Sequence, residues 1–110
     1  MAGLRLPRKV IVGPYTYSIY CNDAATAALG SDFGQCDTER LEIKLSHDKP
    51  LQIHQEVLVH EMLHAAMNVA ALDITLGEGV EEDVVRRLAP ILTMMIKANP
   101  QWIKFITEGV

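Results

Sequence analysis

The chain of 110 residues has no apolar run near the roughly 18 residues a membrane-crossing helix needs, because charged or amide residues interrupt every hydrophobic stretch. No membrane partner is expected. Positive charge is also scarce: 10 Lys and Arg stand against 14 Asp and Glu, and no basic cluster exceeds Arg8-Lys9 or Arg86-Arg87. Phosphate backbones need a concentrated positive field, so nucleic acid is not an expected partner either. Residues 1–9 carry positive charge but no apolar stretch ahead of a small-residue cleavage site, which argues against a secretory signal and for a cytoplasmic location. In that reducing compartment the two cysteines, Cys21 and Cys36, are expected to be free thiols. With 7 Gly, 5 Pro and no internal repeat or low-complexity tract, residues 1–110 read as one globular domain.

The patterning places strands first and helices afterwards. Val10 and Val12 alternate, Gly13-Pro14 marks a turn, and Tyr15, Tyr17, Ile19 and Cys21 share a face, so residues 9–21 predict a hairpin. The Ala-rich stretch 22–29 suits a short helix that opens at Asn22 or Asp23 and stops at Gly30. Leu41, Ile43 and Leu45 alternate with Glu42 and Lys44 as a half-buried strand does. Asp48, as capping acid, and Pro50 open a long helix that runs to about residue 71. A second long helix covers about 80–98, with Val84, Val85, Leu88, Leu92 and Met95 on one face; Asn99-Pro100 ends it, and 101–107 forms a short last helix. The class expected is α+β, a small antiparallel sheet of about three strands packed on two long helices.

The first long helix carries the chemistry. At 100° per residue, His60 and His64 share a face with Ile53, Val57 and Met67, while Leu58, Met62, Ala65 and Val69 lie on the far side. Apolar residues nearly surround this helix, which places it centrally in the domain and its polar residues in the interior. His60-Glu61-Met62-Leu63-His64 is the HExxH pattern: two imidazoles one turn apart can hold one zinc ion, and Glu61, rotated about 100° away, stands beside the ion as a general base. Two imidazoles hold zinc poorly, so a third protein ligand is required. Positions three and six beyond His64 are Met67 and Ala70, not the Gly and His of metzincins. The acidic start of the second helix offers Glu81 and Glu82, either of which can point inward; as the plainer alternative, acids in a first turn complement the helix dipole. Glu78, flanked by glycines, is the least favoured. His54, about 120° off the His60 face, is expected to face solvent, and His47 to lie at the surface.

His60-Glu61-Met62-Leu63-His64-Ala65 followed by Glu82 on a second helix resembles the gluzincins, in which a glutamate from another helix completes the helix-borne pair. The chain is most similar to small zincin-like metallopeptidases of tailed phages and prophages, distantly similar to the ImmA/IrrE and SprT-like groups. The Gly34-Gln35-Cys36-Asp37 turn, the Glu81-Glu82-x-Val84-Val85 helix start and Asn99-Pro100 match that family as well. The resemblance implies His60, His64 and Glu82 as zinc ligands, with Glu81 the runner-up, and Glu61 as general base. Small residues on the Glu82 face and bulkier ones beside Glu81 favour the same choice. Arg86 departs from the pattern, since such helices often carry an acid one turn after the ligand glutamate to support the histidines.

The activity expected is that of a zinc metallopeptidase, a hydrolase of peptide or protein substrates, with the strand at 41–45 as the cleft edge on which an extended substrate pairs. The alternatives are a catalytically silent binding protein on the same scaffold, acting on a host or phage regulator by contact, and a hydrolase of non-peptide amides.

Overall fold

Lys9–Val12 (β1) and Tyr15–Tyr20 (β2) pair antiparallel around Gly13-Pro14, with Val12 opposite Tyr15, as the alternation predicts. The computed structural model describes residues 6–110. Gly13 has φ +58°, and a Cβ there would lie 2.9 Å from Val69 Cγ1, so the turn seats closely on the end of the long helix. Asp23–Leu29 (α1) is capped by Asn22, whose side chain accepts the Ala25 N–H at 2.8 Å, and ends at Gly30.

Two strands follow instead of one. Gly34–Asp37 (β3), a turn in the sequence-based expectation, is extended because it pairs antiparallel with Glu42–Leu45 (β4). Leu41 has φ +57°, which excludes it from the strand and starts β4 one residue later than its alternation suggests. The sheet is therefore four-stranded, in the order β1-β2-β4-β3, and mixed, correcting the antiparallel sheet of about three strands. Parallel pairing of β2 with β4 is possible because α1 and β3 supply the long crossover that parallel neighbours require. Ile43 and Leu45 are fully buried, each burial worth about 1.5–3 kcal/mol, while Glu42 and Lys44 pair on the opposite face at 3.5 Å.

The helices are Leu51–Val69 (α2), Leu72–Leu76 (α3), Glu78–Ala98 (α4) and Pro100–Thr107 (α5). Pro50 occupies the N-cap of α2 without a side-chain cap; Asp48, expected there, instead accepts from Ser46 Oγ at 2.8 Å. Left-handed Ala71 (φ +59°) breaks the chain between α2 and the unanticipated α3. Ala65, with Leu58, Met62 and Ala66 around it, packs against Val12, Tyr17, Ile43 and Leu45, so the far side of α2 covers the sheet and its histidine side is left for α4. On α4 the buried stripe is Val85, Ala89 and Thr93; Leu88 and Met95, expected on it, are about half exposed. The small side chains of Ala89 and Thr93 let α4 approach α2 closely, which rotates the bulkier residues outward. The fold is thus α+β, with two long helices packed beside the sheet.

Candidate metal centre

One turn apart on α2, the His60 and His64 rings stand with centroids 5.1 Å apart, both only partly accessible. The N-terminal end of α4 crosses in front of them. Glu82 there places Oε1 3.0 Å from His60 Nε2 and Oε2 2.8 Å from His64 Nε2. Donor atoms of His60, His64 and Glu82 all lie within 4.8 Å of one another. Zinc bonds to nitrogen and carboxylate oxygen are about 2.0–2.2 Å long, and two neutral imidazoles with one carboxylate are a donor set this ion accepts, so the residues fit it. The three positions expected as ligands are the three that meet.

Glu81 has a different partner. Its carboxylate, far less exposed than that of Glu82, hydrogen-bonds Nδ1 of His64, the ring nitrogen turned away from Glu82. An acid on Nδ1 fixes the tautomer that presents Nε2 and makes that nitrogen more basic. The expectation that bulk near Val84 and Leu88 holds Glu81 away is corrected: Leu88 is half exposed and leaves the inner side of the turn open. The carboxylate that Arg86 does not provide is supplied to His64 by Glu81, one residue before Glu82, and Arg86 itself pairs with Asp83 at 2.6 Å.

Glu61 is 6% exposed, and its carboxylate, which lines the cleft, has no hydrogen-bond partner among the described residues. It fits there because residue 34 lacks a side chain: a Cβ on Gly34 would lie 2.5 Å from Val57 Cγ1 and 3.0 Å from Glu61 Oε2. Burial, with smaller contributions from Glu82 and Asp32, pushes the Glu61 carboxyl up to about 7 against the pull of His64. Burial likewise moves His60 below its ordinary value, with Glu82 offsetting only part. For His64 burial acts in the same direction, but Glu81, Glu61 and Glu82 together outweigh it and raise its pKa.

Because folding raises the Glu61 pKa from 4.5 to about 7, the folded chain binds the proton more tightly than the unfolded one. Its contribution to stability is complete below pH 4.5 and is lost as pH rises through about 7. Glu61→Gln keeps the neutral shape at every pH. In metal-free protein the variant is expected to match the parent near pH 4.5 and to exceed it by about 3 kcal/mol at pH 8. Urea denaturation with chelator across that range checks this, and a gap that does not change with pH contradicts it.

The groups lie in a cleft of about 820 Å³ bounded by β3, α2 and the segment from Asp73 to Glu82. Gly34, Gln35 and Cys36 line one wall; burial pushes the Cys36 thiol up to about 12, so it is inert as a nucleophile. The strand at 41–45 is not the cleft edge: β4 is paired on both sides, and β3 ends the sheet. His54 does not face solvent; it is half-buried, with Nε2 2.6 Å from the Ser46 carbonyl oxygen. His47 is at the surface as expected, joined to Asp23 at 2.6 Å and Thr26 at 3.0 Å. Cys21 and Cys36 are free. Sequence reasoning missed Gly34 and the role of Glu81. The first had a signal only in hindsight, a glycine in a strand where a close neighbour leaves no room.

Compared with family models, with curated proteins and with solved structures, the chain shows no significant match in any of the three.

Proposed function

We propose that the chain is a zinc-dependent metallopeptidase acting on peptide or protein substrates in the cytoplasm, akin to the small phage-encoded zincin-like enzymes it resembles in sequence. The observation that supports this reading is the meeting of His60 Nε2, His64 Nε2 and the Glu82 carboxylate beside a buried, unpartnered Glu61 in an open cleft. Among the described residues the cluster has three members, whereas a structural zinc site has four protein ligands; this favours hydrolysis over a silent binding scaffold.

A zinc ion held by His60, His64 and Glu82 would supply Lewis acidity, polarising the scissile carbonyl and making water more acidic. Glu61 takes the proton of the attacking water on its carboxylate and returns it to the departing amine. Glu81 keeps the His64 ring in the orientation that presents Nε2. An extended substrate is placed along β3, whose outer edge faces no neighbouring strand among the described residues. No helix among the described residues is long and apolar enough to cross a membrane.

The reading is tested by incubating zinc-loaded protein, purified without a His-tag, with a mixed peptide library. Mass spectrometry is expected to find chelator-sensitive cleavage products. A zinc-loaded protein that leaves every peptide intact sinks it.

A further inference from the structure

The cleft extends along α2 from Val57, against Gly34, to Asn68 near the helix end, a span of about 16 Å at the helical rise. The histidine pair stands near its middle. That length accommodates about five residues of extended peptide. Six carboxylates line the cleft, those of Asp32, Glu61, Asp73, Glu78, Glu81 and Glu82, and no Lys or Arg does. A divalent ion between the histidines would offset only part of the charge of those carboxylates. Asp32 stands where the chain enters β3 at one end; Asp73 and Glu78 lie beyond Asn68 at the other.

The neighbouring cations are engaged elsewhere. Arg86 and Arg87 both pair with Asp83, at 2.6 and 3.1 Å, and Lys49 sits 3.7 Å from Asp48 and over the Phe33 ring. Asp73 accepts from Asn68 Nδ2 at 2.9 Å, which aims its carboxylate but leaves its charge uncompensated. Asp32 and Glu78 take part in no ion pair among the described residues. Between these ends, Glu61 is more than nine-tenths buried, lines the same cleft and lacks a hydrogen-bond partner. Asp73 also accepts the Ile74 N–H at 2.9 Å, so its partners are neutral donors, and no cation pairs with either end among the described residues.

We propose that the cleft selects peptides with a Lys or Arg side chain on each side of the bond to be cleaved, within about three residues of it, one cation facing Asp32 and the other facing Asp73 and Glu78. This deepens the peptidase reading and rests on it for the meaning of the central bond. Acidic side chains at the same places meet like charge and are rejected.

The test measures binding separately from cleavage. Fluorescent ten-residue peptides with two Lys, two Gln or two Glu flanking a common centre are titrated by anisotropy against zinc-loaded Glu61→Gln protein. The Lys peptide is expected to bind at least about tenfold tighter than the Gln peptide and the Glu peptide more weakly still, with the order compressed in high salt. Asp32→Asn and the pair Asp73→Asn/Glu78→Gln are each expected to remove about half of the preference on a logarithmic scale. Equal binding of Lys and Gln peptides, or a preference that survives all three substitutions, overturns the proposal. Cleavage by the parent is scored on the same peptides. Equal rates on Lys and Gln peptides overturn the selection and leave the peptidase reading standing; a Lys preference in binding without cleavage of any peptide supports charge selection and removes the peptidase reading.

Discussion

Replacing both His60 and His64 by Ala is expected to abolish zinc binding, taking the content from one ion per chain to none. The substitution leaves one carboxylate of a three-donor set, far too little for retention at ordinary free-zinc concentrations. The glutamates should then grade the loss. Glu82→Ala removes a direct donor and is expected to weaken binding by more than about a hundredfold, whereas Glu81→Ala frees the His64 ring without removing a ligand and should cost about tenfold. Metal analysis of the double variant and chelator-competition titration of the two others decide this. Zinc retained without the histidines dismisses the site. A reversed order of the glutamates transfers the ligand role to Glu81.

Glu61→Gln is expected to lower hydrolysis by about 10²–10⁴-fold while leaving zinc content unchanged, because the amide fills the same pocket but cannot take a proton. Unchanged zinc separates this from a folding defect, as does the higher stability of the variant in alkaline, metal-free solution. Cleavage within a few fold of the parent removes Glu61 from the mechanism. A cleavage rate that falls together with zinc content makes Glu61 a structural support for the ligands instead.

That His60 and His64 stand together was legible because both belong to one helix, where the period alone decides which side chains share a face. Glu82 was reachable by the same rule applied to α4, since it continues the stripe of Val85 and Ala89 that faces α2. Which atom of His64 each acid meets was not legible: that depends on how α4 is rotated against α2, and the exposure of Leu88 and Met95 shows a rotation away from the most hydrophobic face. The sheet was half legible for a similar reason. Alternation in Leu41, Ile43 and Leu45 tells which side is buried but not which strands lie alongside, so it does not reveal that β3 rather than β4 holds the edge. Gly-Gln-Cys-Asp has no alternation of its own and is a strand by virtue of its neighbour. Left-handed Leu41 delays the start of β4, and left-handed Ala71 separates α2 from α3, both with residues that ordinarily avoid that conformation.

Pro90 stands inside α4 and has no N–H to offer, so the carbonyl oxygen of Arg86 loses its partner in the helical ladder at that point. Ahead of the break are Glu81, Glu82 and the buried Val85 and Ala89; beyond it only Thr93 is buried, while Ile91, Met94 and Met95 are about half exposed or more. One continuous helix therefore holds two units of unequal cooperativity. Amide protons in its last turns are expected to exchange with solvent through local fraying that leaves the histidines and Glu82 in place, whereas those around Val85 exchange only when α4 lifts from α2 and Glu82 parts from the histidines. An ion bridging His60, His64 and Glu82 would therefore slow exchange in the first half of α4 and leave the second half unchanged.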